Sequence, residues 1–291
     1  MARPASSPGE TAVSDMLDRF RSAQAGPIAR LRRLAEEGQL PAPWPTAGLN
    51  GRPGFSEALR AVAPSPRQGP AVIAEYKRAS PSRGVINLGL SPADVARMYA
   101  DNGAACFSVL TEAKHFQGDL RFLAEMAFAG RPLLRKDFLL DPLQVVETAA
   151  TPASALLLIM RMLGGAAEVR GMLSACRKYG LEAVCEVFDE ADLDIAREAG
   201  AAIIQVNNRD LDRLVTDLGT SRRLAPRKQP GELWISASGL DAPEQLMEMA
   251  DLGFDAVLIG TSLMSTPDPG AALKKLTAVA QTRHEKESAT S

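Results

Sequence analysis

One short pattern recurs along the chain and limits the folds that it can adopt. A helical stretch ends at a glycine, and an apolar strand of about five residues follows it. The pattern occurs in segments 102–111, 179–188, 199–208 and 252–261. The glycines that are expected to adopt the left-handed cap conformation are Gly103, Gly180, Gly200 and Gly253. A repeated unit of helix, glycine and strand is typical of chains in which helices cover parallel strands.

The starts of the helices follow a similar rule. Ser91-Pro92, Asp141-Pro142 and Asp241-Ala242-Pro243 each place a side-chain acceptor before a proline of the first turn. With these limits the sequence predicts eight strands, at 71–77, 105–110, 132–136, 155–160, 183–187, 202–206, 233–237 and 256–260. Helices are predicted between most of them, at 91–103, 164–179, 189–199 and 241–252.

The alternation of apolar strands with helices predicts an α/β fold with a parallel sheet covered by helices. Eight such units over about 200 residues fit a (β/α)8 TIM barrel better than a doubly wound sheet. No GxGxxG motif follows the first strand, which also disfavours a dinucleotide-binding fold. We therefore predict the barrel at 71–280 and an N-terminal helical extension, packed on it, at 11–70. Residues 12–38 are expected to form an amphipathic helix and 39–54 irregular chain, with a disordered tail at 1–10 and a frayed tail at 281–291.

Composition excludes several functional classes. A net charge of −2 and the lack of a Lys/Arg-rich tract argue against a nucleic-acid partner. Three cysteines without a CxxC disfavour a disulfide framework, and two histidines disfavour a His-rich metal site or a Ser-His-Asp triad. The N-terminus lacks the pattern of a signal peptide, and no apolar run approaches the ~18 residues of a membrane span. We expect a cytoplasmic enzyme with no membrane partner.

Charged residues stand at the ends of several predicted strands, where active sites of such barrels lie. Glu75 and Lys77 share a face of strand 1, as a structural ion pair or as part of a site. Lys114 follows strand 2, and Lys136 ends strand 3. Glu186 interrupts the apolar strand 5, where an unpartnered carboxylate would be unfavourable, so it needs a partner or a catalytic task.

Strands 6 to 8 also end in polar or small residues. Asn207 and Arg209 share one face after strand 6. Ser238-Gly239 after strand 7 could be an ordinary turn, but Gly260-Thr261-Ser262 repeats the feature after strand 8. Small residues in these two loops expose backbone N–H groups at the place where barrels often bind phosphate. The whole set suits proton transfer and charge stabilisation on a phosphorylated small molecule.

Seven segments at the predicted strand ends resemble the indole-3-glycerol phosphate synthase family. They are AEYKRASPSRG, LTEAKHF, LLRKDF, VCEVFD, VNNRDL, SGL and LIGTSLM, in this order and spacing. The resemblance extends from about residue 55 to 270 and includes the helical extension. It implies a carbon–carbon lyase of tryptophan biosynthesis that acts on 1-(2-carboxyphenylamino)-1-deoxyribulose 5-phosphate. The ring closes, carbon dioxide leaves and water is lost, with no metal or organic cofactor. Other tryptophan-pathway enzymes are possible partners.

The resemblance assigns the chemistry to particular residues. Lys114 is expected to be the general acid that protonates the ketone oxygen during ring closure, and Glu186 the general base of the dehydration. Lys77 is expected to meet the substrate's carboxylate or phosphate and to serve as a second acid. Glu75 and Asn207 are expected to hold the sugar hydroxyls and the reacting geometry. Arg209 is expected to orient the anthranilate part. The other expected substrate or phosphate contacts are Ser80, Lys136, Ser238, Gly239, Gly260 and Thr261.

The chain departs from the family pattern at two positions. After strand 7 the family usually has Glu-Ser-Gly, where this chain has Ala237-Ser238-Gly239, and on strand 6 it usually has Gly, where this chain has Gln205. One hypothesis is that the Gln205 amide reaches into the space left at Ala237. The alternative is that the two positions changed independently.

These departures leave other functions open. The chain could be a paralogue with an altered substrate in specialised metabolism, or a non-catalytic barrel that binds a neighbouring enzyme. The retained Lys114 and Glu186 favour an active enzyme. A sibling barrel such as phosphoribosylanthranilate isomerase would need a Cys/Asp pair with the Cys at the end of strand 1. This chain has Glu-Tyr-Lys there, which disfavours that activity.

Overall fold

A computed structural model describes residues 8–45, 51–62, 69–209 and 215–288, with side chains from Met16 to Ala278 within these ranges. Eight parallel strands form a closed barrel, with neighbours in the order of the chain and the first strand paired to the last. The strands are β1 Ala71–Tyr76, β2 Cys106–Leu110, β3 Leu133–Lys136, β4 Ala155–Ile159, β5 Glu182–Val187, β6 Ile203–Asn207, β7 Leu233–Ala237 and β8 Ala256–Ile259. The predicted (β/α)8 fold and all eight predicted strands are confirmed, each to within one residue at either end.

Helices precede the barrel, connect its strands and follow the last one. Before the barrel lie α1 Pro8–Glu36 and α2 Phe55–Ala61. The connecting helices are α3 Pro92–Asp101, α4 Ala113–Phe116, α5 Arg121–Met126, α6 Pro142–Ala149, α7 Ala166–Lys178, α8 Glu190–Ala199, α9 Gly219–Leu224 and α10 Pro243–Asp251. After β8 come α11 Thr261–Met264 and α12 Pro269–Ser288. A short antiparallel hairpin, Ala79–Ser80 with Gly84–Val85, lies in the loop after β1.

The predicted helix boundaries are formed by the expected residues, with one exception. Gly103, Gly180, Gly200 and Gly253 all have positive φ, between 63° and 91°. The Ser91 side chain accepts from the Asp94 N–H, and Asp141 forms a capping box with Gln144. At the third start, Asp241 is not the cap. The Gln245 side chain instead accepts from the backbone N–H groups of Asp241 and Ala242.

Alternate residues of each strand belong to two separate apolar cores. On β1, Ala71 and Ile73 point into the barrel, whereas Val72 and Ala74 pack against the surrounding helices. Both faces of the sheet are therefore buried, and all six residues of β1 are buried. Burial on both faces explains why the strands are continuously apolar in sequence rather than alternating.

The helix α2 closes the N-terminal end of the barrel. Phe55 and Leu59 are fully buried beneath the strands. The backbone N–H groups of Phe55 and Ser56 donate to the Glu182 carboxylate at the start of β5, at 2.8 and 3.0 Å. One carboxylate therefore satisfies two of the N–H groups that a helix leaves unpaired at its start.

The helix α1 is fixed to the opposite, C-terminal part of the barrel wall. Gln24 donates to Asp137, which follows β3, at 3.2 Å. Further along α1, Arg30 pairs with Glu147 and Arg32 pairs with Asp141 at 2.9 Å. These contacts bring the preceding turns of α1 to the end of the barrel at which the strands terminate.

The predicted segments outside the barrel are only partly described. Of the tail predicted at 1–10, residues 1–7 lie outside the described ranges, as do 46–50 of the irregular segment. The tail predicted from 281 is helical to Ser288, and 289–291 lie outside the described ranges. Trp44 and Arg52 bind backbone oxygens at and after the C-terminal end of α6, away from the barrel mouth. Within the described ranges, no helix is both long and apolar enough to cross a membrane.

The position of α2 predicts that two Phe→Ala substitutions differ strongly in their effect on the free energy of unfolding. Phe55→Ala should lower the free energy of unfolding by about 3–5 kcal/mol, because it leaves a cavity beneath the barrel. Phe128→Ala is the matched control, because Phe128 is 56% exposed, and loss of its exposed contact with Arg97 should lower stability by no more than about 1 kcal/mol. Urea unfolding measures both values. Equal losses in the two variants would contradict the role given to α2.

Candidate active site

A cavity of about 360 Å³ opens at the C-terminal ends of the strands. Eleven of the twelve residues predicted for the site line it, and the exception is Lys114. They are Glu75, Lys77, Ser80, Lys136, Glu186, Asn207, Arg209, Ser238, Gly239, Gly260 and Thr261. Barrel closure brings these residues together although more than 180 positions separate the first from the last. The cavity lies where active sites of this fold are found.

Two ion pairs line the cavity. Lys77 Nζ lies 2.7 Å from Glu75 Oε1, and Ser108 Oγ on the adjacent strand donates to the other Glu75 oxygen at 3.4 Å. Lys136 Nζ lies 3.4 Å from Glu186 Oε2. All four charged side chains are less than one-fifth exposed. The Glu75–Lys77 pair is thus both a structural ion pair and part of the cavity, so the two alternatives raised by the sequence do not exclude each other.

The electrostatics of this group keep Glu75 ionised. Burial alone would raise the pKa of the Glu75 carboxyl. The positive charges of Lys77 and Lys136, with hydrogen bonds from Lys77 and Ser108, outweigh burial and lower the pKa below its ordinary value of 4.5. Glu75 is therefore a carboxylate at neutral pH.

Gln205 does not fill the space beside Ala237, so that hypothesis is wrong. Gln205 is fully buried and does not line the cavity. Its amide nitrogen donates to Glu186 Oε2 on β5, at 2.5 Å, and β5 lies on the opposite side of β6 from β7. The strand register explains this direction. Gln205 lies directly beside Glu186, whereas Ala237 lies beside Asn207, two residues further along β6. Ala237 itself lines the cavity without a polar group.

The loop after β7 has an unusual backbone that is fixed by Asn208. Ser238 and Gly239 have φ of 71° and 78°, which is uncommon for a serine. The buried Asn208 amide donates to the carbonyl oxygens of Ala237 and Ser238, at 3.0 and 3.2 Å. Sequence reasoning missed Asn208, because its side chain acts on a neighbouring strand's loop rather than on the cavity.

The loop after β8 approaches the Glu75 carboxylate closely. A Cβ atom added to Gly260 would lie 3.0 Å from Glu75 Cβ and would collide with the carboxylate. A glycine is therefore required for Glu75 to occupy its place. Ser262 donates to the Leu240 carbonyl oxygen at 3.1 Å, which ties this loop to the one after β7. The two small-residue loops thus form one continuous edge of the cavity.

Arg209 connects the loops after β6 and β1. Its guanidinium donates to Ser82 Oγ at 3.3 Å, and its backbone N–H donates to Asn207 Oδ1 at 3.0 Å. Ser80 and Ser82 belong to the loop that contains the hairpin after β1. The predicted residues Ser80, Asn207 and Arg209 therefore lie along one side of the mouth.

An aromatic wall, made of Phe20, Phe116, Phe138 and Phe188, forms the apolar side of the cavity. Phe20 on α1 stacks on Phe138 with ring centroids 4.1 Å apart and an angle of 15°. Met16 and Leu17 extend this wall from the preceding turn of α1. The sequence predicted an amphipathic helix here but did not indicate which part of the barrel its apolar face would meet.

Lys114 is the one predicted site residue outside the cavity. It lies in α4, is exposed, and its ammonium forms no hydrogen bond or ion pair with the residues that the structure describes. The Glu112 carboxylate accepts from the backbone N–H groups of Lys114, His115 and Phe116 and so fixes this turn. Glu112 and Phe116 both line the cavity, which puts Lys114 beside the mouth.

The fold and the cavity define the class of this protein: a (β/α)8 barrel with carboxylates, lysines and two small-residue loops gathered at the C-terminal ends of its strands. The chain belongs to the indole-3-glycerol phosphate synthase family, whose sequence model matches residues 49–276.

Known proteins support the family assignment by sequence and the barrel fold by structure. Indole-3-glycerol phosphate synthase of Syntrophobacter fumaroxidans is 45% identical over 75% of this chain and 82% of its own. The namesake enzyme of Magnetococcus marinus is 44% identical over 77% of this chain and 84% of its own. Among solved structures, 3-hexulose-6-phosphate synthase of Salmonella typhimurium matches 74% of this chain and 99% of its own with a TM-score of 0.57. Its sequence identity is 13%, so that likeness concerns the fold alone.

The lowered pKa of Glu75 predicts a specific pH dependence of stability. At pH 7, Glu75→Gln should be less stable than the parent chain, because it leaves Lys77 without its counter-charge and Lys136 with Glu186 alone. A lowered folded-state pKa contributes stability above the unfolded value, near 4.5, and this contribution is lost as the pH falls through the folded value. The difference between the two proteins in urea unfolding should therefore shrink as the pH falls below about 4.5. A constant or growing difference would contradict the electrostatic account.

Proposed function

We propose that this chain catalyses the indole-3-glycerol phosphate synthase reaction. The substrate is 1-(2-carboxyphenylamino)-1-deoxyribulose 5-phosphate, which undergoes ring closure, decarboxylation and dehydration. The observation that carries the proposal is the composition of one cavity in a chain of this family. It combines paired lysines and carboxylates, two small-residue loops and an aromatic wall. Such a cavity suits a substrate with a phosphate at one end and an aromatic ring at the other.

The two ends of the substrate have different requirements. A phosphate is bound by exposed backbone N–H groups and cations, which the loops at Ser238-Gly239 and Gly260-Thr261 can offer with Lys77 nearby. The anthranilate ring suits the aromatic wall, because flat apolar faces pack well against one another. Lys136 and Arg209 supply positive charge for the anthranilate carboxylate. The sugar hydroxyls are bound by the side chains of Ser80, Glu75 and Asn207.

The acid and the base of the reaction are assigned to two different strand ends. Glu186 is the general base, because its carboxylate lines the cavity and is held by neighbouring donors. Lys114 is the general acid that protonates the ketone oxygen. Its exposed ammonium has to turn over the edge formed by Glu112 and Phe116 when substrate is bound. Geometry in a ligand-free site does not rule out such a residue, because catalytic contacts tighten in the substrate complex.

Ala237 favours a second candidate, a paralogue that accepts a modified anthranilate. Ala237 lines the cavity at a position where the family usually has a carboxylate. The absence of that group removes a negative charge and leaves room for a substituent. Both candidates use the same acid and base, so they differ in substrate and not in reaction. For either, we propose action in the cytoplasm, and for the first candidate contact with the other enzymes of tryptophan biosynthesis.

The assignment of Lys114 predicts a large effect on turnover. Lys114→Ala should lower kcat by about 10²–10⁴-fold, the usual contribution of a general acid. The dissociation constant for the substrate should change much less, since the ammonium acts in the transition state. Indole fluorescence after addition of the substrate measures turnover.

The matched control is Lys275→Ala, which removes an equally exposed lysine from α12. It should leave turnover unchanged. A fully active Lys114→Ala variant would show that the acid is wrongly assigned. If the parent chain forms no indole product even at high enzyme concentration, the proposed reaction itself is wrong. A substituted anthranilate derivative that reacts faster than the parent substrate would select the paralogue.

A further inference from the structure

A buried amide stands inside the barrel directly behind the proposed base. Gln205 is on β6 in register with Glu186 on β5, and both side chains point into the barrel. The interior below them is apolar, with Ile203 and Ile235 fully or almost fully buried. Burial of a polar amide in such surroundings is unfavourable unless its groups find partners. The contacts that Gln205 makes therefore indicate what it contributes.

The Gln205 amide binds one particular oxygen of Glu186. Its nitrogen donates to Oε2 at 2.5 Å, and Lys136 Nζ approaches the same oxygen at 3.4 Å. Glu186 Oε1 receives no hydrogen bond from any residue in the described ranges. One oxygen is thus fixed from behind, and the other is left for a group in the cavity.

The oxygen of the Gln205 amide argues against a purely structural role for this residue. Gln205 Oε1 is buried and has no hydrogen-bond partner among the described residues. An unpaired buried acceptor destabilises a fold, because burial removes its hydrogen bonds to water and nothing replaces them. A methionine or leucine would fill the same space without this penalty, so the amide contributes a donor to Glu186 at the expense of stability.

Lys136 is less suited to hold the carboxylate throughout a reaction. Its ammonium lines the cavity, is farther from Glu186 than the amide is, and also acts on Glu75. A substrate that carries a carboxylate and a phosphate competes for such a cation. Gln205 does not line the cavity, so no substrate group displaces its hydrogen bond.

We propose that Gln205 is a positioning residue for the dehydration step, holding Glu186 Oε2 so that Oε1 faces the reacting carbon. This inference rests on the proposed function. In dehydration, Glu186 takes a proton from the carbon next to the ring nitrogen. The electron pair of that C–H bond forms the indole double bond, and the neighbouring hydroxyl leaves as water with a proton from the acid. The preceding loss of carbon dioxide does not use this base and does not depend on Gln205.

The test separates these two steps in a single turnover of the full-length enzyme. Gln205→Met keeps the volume and unbranched shape of the side chain but removes the donor. Carbon dioxide release is followed with carboxyl-labelled substrate, and indole formation by fluorescence. The rate of carbon dioxide release divided by the rate of indole formation should rise about tenfold or more, the effect expected for one lost hydrogen bond to a charged group. An unchanged ratio, whether or not both rates fall, overturns the proposal.

Control variants separate this role from packing and from the choice of base. Ile203→Met places a methionine at the buried position two residues earlier on the same strand, beside Val184, removes no donor, and should leave the ratio unchanged. Gln205→Leu removes the donor with a different shape and should reproduce the effect of Gln205→Met if either variant folds poorly. Glu186→Gln should raise the ratio further. If Glu186→Gln leaves the ratio unchanged, the base assignment fails and this proposal with it, whereas absence of any indole from the parent chain refutes the proposed reaction.

Discussion

Closure of the barrel is the constraint on which the rest of this structure depends. It turns every second residue of eight strands into an enclosed interior, and their C-terminal ends into a single mouth. In the lower layers that interior is filled by apolar residues such as Ile73 and Ile235. In the uppermost layer it holds charged groups, each with a partner of opposite sign or a neutral donor. Unpaired, these groups would strongly destabilise the fold, because burial removes the water that stabilises charge.

This layering links stability to the site. Glu75 is ionised because Lys77, Lys136 and Ser108 surround it, and Gly260 leaves the space that it needs. Glu186 on β5 is held by Lys136 from β3 and by Gln205 from the adjacent strand β6. Lys136 forms an ion pair with Glu186 and also lowers the pKa of Glu75, so one lysine acts on both carboxylates. A ligand that binds Lys136 therefore changes the electrostatic environment of both carboxylates, whereas a ligand at an isolated ion pair would affect only one.

Most of the fold could be predicted from the sequence, because strands and caps depend on local patterns. Continuous apolar runs located the strands, and Gly103 or Gly200 marked the turns before them. The strand-end residues could be assigned to one site because the fold itself brings strand ends together. Contacts between segments that are distant in the sequence could not be predicted. Neither the docking of Phe20 on Phe138 nor the direction of the Gln205 side chain follows from any local pattern. The departure at Gln205 was visible in the sequence, but register decided that it serves Glu186 and not the space at Ala237.

The proposed function requires one cavity to hold the phosphate at the loops after β7 and β8 and the aromatic ring at the wall built partly by α1. A crystal structure of the enzyme with bound indole-3-glycerol phosphate tests it most directly. We expect the phosphate within hydrogen-bonding distance of the backbone N–H groups of Gly239 and Thr261, with the indole ring against Phe20 and Phe138. A phosphate bound elsewhere, or an indole ring directed away from α1, would contradict it.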